Sequence, residues 1–217
     1  MNPASAQISS KKPLLKTGGQ LRIIGGSWRG RKLHFPAVDG LRPTGDRVRE
    51  TLFNWLAPEI QGARCLDLFA GSGALGIEAL SRGAERVVML EQDAKATAQL
   101  RANLSLLGAE NGTVIHGDTV RFLQQTNSLS PKPQEPYRQQ LYHHEPYHIV
   151  FMDPPFQKQL WQQAIDLLET EHWLADDATI YIESNRDSVY NVPPNWLLHR
   201  EKYAGNISYR LYYRERV

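Results

Sequence analysis

Arg64-Cys65-Leu66-Asp67-Leu68-Phe69-Ala70-Gly71-Ser72-Gly73-Ala74-Leu75-Gly76 is the stretch on which the fold turns. A short apolar run enters a glycine cluster and leaves in the helical pattern Ile77-Glu78-Ala79-Leu80, which predicts a buried strand, a tight turn and a helix. Glycines let the backbone pass close to a ligand, and the helix that follows points its free N–H groups back into the crevice. A nucleotide-like cofactor suits that crevice. Gly71, Gly73 and Gly76 also meet the spacing of the dinucleotide fingerprint, so a nicotinamide dehydrogenase is a rival. Asp67 weighs against it, because a carboxylate at that strand end would face a pyrophosphate of like charge, whereas a sulfonium cofactor carries the opposite sign.

Outward from this stretch the pattern alternates strand and helix with short links, which predicts an α/β fold built on a mostly parallel, doubly wound sheet. The second strand, Arg86-Val87-Val88-Met89-Leu90-Glu91, ends in an acid twenty residues past Gly71. Either cofactor type would use Glu91 on ribose hydroxyls. The third, Val114-Ile115-His116-Gly117-Asp118, ends in a carboxylate able to accept from an adenine amino group. Asp67, Glu91 and Asp118 thus mark one crevice outside consecutive strand ends; their other reading is helix capping. A helix is expected over 119–125. Residues 126–147, rich in Pro, Gln, Ser and Tyr, make a long connection for a compact domain and are read as a surface excursion near the base pocket.

The next apolar run, residues 148–152, delivers Asp153-Pro154-Pro155-Phe156 to its C-terminal end. The exocyclic amine of a nucleobase is a poor nucleophile because its lone pair is delocalised into the ring. A carboxylate at Asp153 and the carbonyl of Pro154 can each accept one N–H, Pro155 stiffens the turn, and Phe156 can stack on the base. Read so, the motif serves methylation of a planar amine; its other reading is a turn that closes a strand. Beyond it come a helix near 159–171, a strand over 178–183 and a closing hairpin over 197–212, with Gly205 and Asn206 at the turn.

Charge is distributed unevenly. Residues 1–50 hold ten Lys or Arg against three acids and so carry +7, while the remaining 167 residues carry −5, together the net +2 of the chain. A basic front on an acidic body suits a polyanionic substrate. Residues 21–24 and 32–35 alternate around Gly25, Gly26 and Gly30 and predict a hairpin, in which Trp28 stands among Arg29, Arg31 and Lys32 as an aromatic for an unpaired base. A helix begins at Thr44 or Asp46 and runs to about Leu56, with Pro58 just beyond. Arg42, Thr44 and Arg47 are placed to grip substrate phosphate or the Asp-Pro-Pro-Phe turn, or else to fasten the helix to the body.

At 217 residues the chain has the size of one domain. No apolar run approaches the roughly 20 residues needed to span a bilayer, and the N-terminus lacks a secretory core, so a cytoplasmic protein is expected. Cys65 is the lone cysteine and lies in an apolar strand, which excludes a disulfide framework and argues against a nucleophilic role. The seven histidines are scattered, and no metal is expected.

Taken together, these segments resemble class I S-adenosylmethionine-dependent methyltransferases. Within that superfamily the chain is similar to the RsmD family of bacterial small-subunit ribosomal RNA guanine 2-amino methyltransferases. The resemblance rests on Leu21-Arg22-Ile23-Ile24-Gly25-Gly26-Ser27-Trp28-Arg29-Gly30-Arg31-Lys32-Leu33, on Arg42-Pro43-Thr44-Gly45-Asp46-Arg47-Val48-Arg49-Glu50-Thr51-Leu52-Phe53-Asn54-Trp55-Leu56, and on the glycine and Asp-Pro-Pro-Phe motifs. Together these span roughly residues 20–214. The resemblance implies S-adenosylmethionine as cofactor, held by Asp67 near its methionine end, Phe69, Gly71, Ser72, Gly73, Glu91 and Asp118, and S-adenosylhomocysteine as product. It implies a guanine of 16S ribosomal RNA, within an assembling small subunit, as substrate of a monomeric enzyme. It also implies catalytic roles for Asp153 to Phe156 and RNA contacts at Arg29, Arg31, Lys32, Arg42, Thr44, Arg47, Lys202 and Tyr203. The expected division is a disordered tail (1–19), a basic RNA-binding extension (20–60) and a catalytic domain (61–217) with a seven-stranded, Rossmann-like sheet ending in an antiparallel hairpin. Adenine 6-amino methylation, release-factor glutamine methylation and a noncatalytic RNA-binding assembly factor are the alternatives.

Overall fold

A computed structural model describes residues 18–38, 44–124 and 145–216. Arg42, residues 1–17 of the expected tail and residues 126–144 of the expected excursion lie outside them. A two-stranded hairpin, β1 (Gly19–Arg22) and β2 (Lys32–Phe35), leads into α1 (Asp46–Trp55). There follow β3 (Arg64–Asp67), α2 (Gly76–Ser81), β4 (Arg86–Glu91), α3 (Ala94–Leu107), β5 (Gly112–His116) and α4 (Thr119–Leu123). The chain closes with β6 (Tyr147–Met152), α5 (Trp161–Thr170), β7 (Leu174–Asn185), β8 (Trp196–Ala204) and β9 (Ile207–Arg214). One sheet has the order β5-β4-β3-β6-β7-β9-β8. Strands β3 to β7 pair in parallel, while β9 runs antiparallel to both β7 and β8. The expected mostly parallel, seven-stranded α/β sheet with its antiparallel C-terminal hairpin is what forms. No helix among the described residues is long and apolar enough to cross a membrane.

Strand alternation divides the core in two. Cys65, Met89, Phe151, Tyr181 and Leu211 face Leu52 and Phe53 of α1, Ile77 of α2 and Leu100 of α3. On the other side, Leu66, Val88, Val150 and Ile182 face Leu123 of α4 and Trp161, Ile165 and Leu168 of α5. Each helix shows why it forms there. Helix α1 buries Arg49, Leu52 and Phe53, a three- and four-residue spacing that lines one face. Helix α3 starts at Asp93, whose carboxylate accepts from Lys95 and Ala96 N–H at 2.8 and 2.9 Å, and stops at Gly108 with φ 67°.

Several boundaries depart from expectation, among them β5, which ends at His116 and leaves Asp118 to cap α4. Helix α5 begins at Trp161 because Gln159 turns left-handed at φ 48°. Strand β7 extends back to Leu174, which pairs with Tyr147, and an irregularity between Tyr147 and Ile149 accommodates the polar Asp176 and Asp177. The first strand runs over Gly19–Arg22; Ile23 still exchanges backbone hydrogen bonds with Arg31 and Gly30, while the N–H groups of Ile24 and Gly25 are taken by Glu78.

Candidate active site

Strand β3 is flanked by β4 and β6, whose chains leave in opposite directions, so the crevice opens outside the ends of these strands. The Gly71–Gly76 turn lies there. Gly73 has φ 79°, and a side chain on it would run into Leu100 and Ile77; one on Gly76 would meet Met89 at 2.7 Å, so α2 packs directly on the sheet. Ser72 is buried and Phe69 is half-buried against the second core cluster. Asp67 accepts the Gly76 N–H at 3.0 Å, tying the strand end to the start of α2. Burial pushes the Asp67 carboxyl up to about 7, with the Glu91 charge adding to it and the N–H groups of Gly76 and Phe69 opposing it.

Glu91 accepts from Gly71 N–H at 2.8 Å through one oxygen and from Asp93 N–H at 2.7 Å through the other. Each oxygen keeps a second lone pair, the pattern a vicinal diol needs. Exposed Asp118 caps α4, accepting the Arg121 N–H at 3.0 Å. The capping reading thus describes part of what Asp67 and Asp118 do. Lys158, two residues past Phe156, donates to Gln92 at 3.0 Å and links the β6 turn to the end of β4.

Asp153, Pro154, Pro155 and Phe156 leave the end of β6. Asp153 is half-buried, Pro154 buried, and Phe156 half-buried against Trp161, with ring centroids 5.7 Å apart. Register places Asp67, Phe151 and Tyr181 level on one sheet face. Two residues on, Asp153 and Glu183 therefore emerge side by side on that same face. Glu183 is buried and accepts the Tyr181 hydroxyl at 3.0 Å. Burial first, then the charges of Glu183 and Asp67, push the Asp153 carboxyl well above its usual range, against one weak opposing contact from the Thr44 hydroxyl at 3.4 Å. The Tyr181 hydroxyl is likewise pushed up, by burial and by Glu183 and Asp153.

Thr44 reaches Asp153 because of a residue that sequence reasoning missed. Arg49, fully buried in α1, donates to the Thr44 carbonyl at 3.2 Å, the Arg22 carbonyl at 2.9 Å, Asp46 at 2.7 Å and Glu78 at 3.4 Å. Glu78, buried in α2, also accepts Arg82 at 2.8 Å and the N–H groups of Ile24 and Gly25. A buried ion pair is costly unless its remaining hydrogen bonds are satisfied, and here the surplus donors and acceptors hold hairpin, α1 and α2 together. An arginine on the apolar side of a helix was the available signal. For Glu183 the signal was plainer, because the rule that singles out acids at strand ends applies to it unchanged.

The family model described as Conserved hypothetical protein 95 matches residues 21–213. Ribosomal RNA small subunit methyltransferase D of Escherichia coli (strain K12) is 52% identical over 206 residues, covering 94% of this chain and 96% of that protein. The chain belongs to this methyltransferase family. Its Haemophilus influenzae relative of the same name is 47% identical, covering 89% of this chain and 94% of that protein. The solved structure of yhhF from Escherichia coli, 52% identical, superposes with a TM-score of 0.77 over 92% of this chain and all of that one.

The methyltransferase scatters its basic candidates. Ser27 contacts Ser81 at the end of α2, and Arg31 donates to the Leu106 carbonyl near the end of α3 at 3.0 Å. Helices α2 and α3 run away from the crevice, so the Arg29–Arg31 turn sits at the far end of the sheet, with Lys32 exposed on β2 and Trp28 half-buried against the core. Arg47 is exposed on α1. Lys202 and Tyr203 instead flank the β8–β9 turn, beside the end of β7 and hence at the crevice end. Lys202 lies over Trp55 at 5.9 Å, and Arg186 over Tyr203 at 4.3 Å. Cys65 is buried, which pushes its thiol up and keeps it inert.

Proposed function

We propose that this methyltransferase transfers a methyl group from S-adenosylmethionine to the 2-amino group of a guanine in 16S ribosomal RNA, as a cytoplasmic monomer acting on the assembling small subunit. The observation that carries this reading is Asp153, held at the end of β6 beside a glycine-lined cofactor crevice, with Pro154, Pro155 and Phe156 completing the turn. The full-length match to relatives named for small-subunit ribosomal RNA methylation supports the substrate class. Bound S-adenosylmethionine supplies an electrophilic methyl group on a sulfonium. Glu91 fits its ribose hydroxyls, Asp118 its adenine amino group, Gly71, Ser72 and Gly73 its approach to the backbone, and Asp67 its charged end; Phe69 lines the same turn.

Asp153 and the Pro154 carbonyl accept the two N–H bonds of the amine, and Phe156 stacks on a base flipped from its loop. With its hydrogens held, the nitrogen presents its lone pair to the crevice, where the bound cofactor would supply the methyl group and be left as S-adenosylhomocysteine. The ammonium so formed is strongly acidic and gives its proton to Asp153 or to solvent. Arg49 acts through Thr44 to position Asp153. The extension over residues 20–60, Lys202 and Tyr203 contact the RNA. Radiolabelled transfer to small-subunit particles from a strain lacking the gene, followed by nucleoside analysis, should yield labelled 2-methylguanosine at one site. Label on adenine would replace this reading by the 6-amino one.

A further inference from the structure

We infer that Glu183 makes the site selective for guanine, by accepting the ring N1–H next to the amine held at Asp153. The inference rests on the reading above and adds to it a residue that never touches the reacting nitrogen. Parallel pairing of Met152 with Ile182 sets Asp153, just past β6, beside Glu183, still within β7, and the alternation from paired Phe151 and Tyr181 puts both carboxylates on one face. Tyr181, fully buried against Phe151, anchors one Glu183 oxygen through its hydroxyl at 3.0 Å, so the carboxylate has a fixed place at the base end of the crevice.

The clamp at Asp153 reads only an amine and would accept guanine or adenine alike. The two bases differ in the atom beside that amine. Guanine presents a second donor, N1–H; adenine presents an N1 lone pair. Two neighbouring carboxylates complement a donor–donor edge, whereas a carboxylate against a lone pair is repulsive and leaves both acceptors unsatisfied. Rejection by unpaired buried polar groups is the strong form of specificity.

The test uses full-length wild type and Glu183→Gln on small-subunit particles reconstituted with ribosomal RNA carrying guanine or 2-aminopurine at the modified position. In 2-aminopurine the 2-amino group remains but N1 is a lone pair. Wild type should favour guanine by roughly ten- to a hundredfold in kcat/KM, the effect of one hydrogen bond to a charged group. Glu183→Gln should narrow that ratio to within a few-fold, because a carboxamide can turn either a donor or an acceptor toward N1. The analogue also lacks the 6-oxygen, but that loss is common to both enzymes, so the change in ratio reports N1 alone. Equal losses on both substrates in Glu183→Gln would assign the residue a structural role and overturn the inference, as would a wild type with no preference. A wild type that leaves the guanine particles unlabelled while labelling adenine would overturn the underlying reading instead.

Discussion

Glu91, at the end of β4, and Asp118, just past β5, accept backbone N–H groups, Glu91 from Gly71 of the glycine turn and from Asp93, and Asp118 from Arg121, whereas Asp153, just past β6, and Glu183, near the end of β7, lie side by side with side-chain hydroxyls among their donors. The first arrangement is preorganised: the loop conformation itself fixes each carboxylate. In the second, the charges crowd together in a buried place, and the Thr44 contact at 3.4 Å does little to relieve Asp153. New N–H donors would relieve that crowding. On the proposed reading, the cofactor end receives its ligand in a site already fixed by backbone hydrogen bonds, and the base end gains further donors from the amine.

Breaking the base end should therefore cost most. Asp153→Ala should lower turnover by on the order of 10³-fold with cofactor affinity retained, measured by single-turnover transfer and by calorimetry. Wild-type turnover in this variant would remove the clamp. Glu91→Ala should do the reverse, weakening cofactor binding by roughly tenfold or more through loss of two charge-assisted hydrogen bonds while leaving kcat at saturation near normal. An unchanged dissociation constant would contradict its ribose role. The smallest effect is expected of Thr44→Val, which removes the one hydroxyl on Asp153 and should lower kcat only several-fold, shifting its pH profile further upward rather than altering KM for cofactor. An unshifted profile would separate Thr44 from the chemistry.

Much of this architecture could be read from the sequence because it is written in local signals. Continuous apolar runs located the parallel strands, and the glycine turn and diproline fixed where the crevice lies. What escaped were relations that cross the fold. Arg49 stands on the apolar side of its helix, but nothing local names Glu78 of α2 as its partner. The tip residues Arg29 and Arg31 read only as part of a basic hairpin, and nothing local says that it carries them past α2 to the end of the sheet opposite the crevice. From sequence, β7 looks shorter than it is because Asp176 and Asp177 break its apolar run, a break that the irregular pairing near Tyr147 absorbs.

The most direct test of the contrast between the two ends is the pH dependence of single-turnover methyl transfer, with cofactor and small-subunit particles saturating. In the proposed mechanism the ionised Asp153 accepts the amine N–H, and burial with the Glu183 and Asp67 charges raises its carboxyl. Activity is then lost as pH falls through that raised value and recovers as pH rises above it. The account predicts an inflection well above the ordinary carboxylate range; a rate that stays flat down to that range would contradict it.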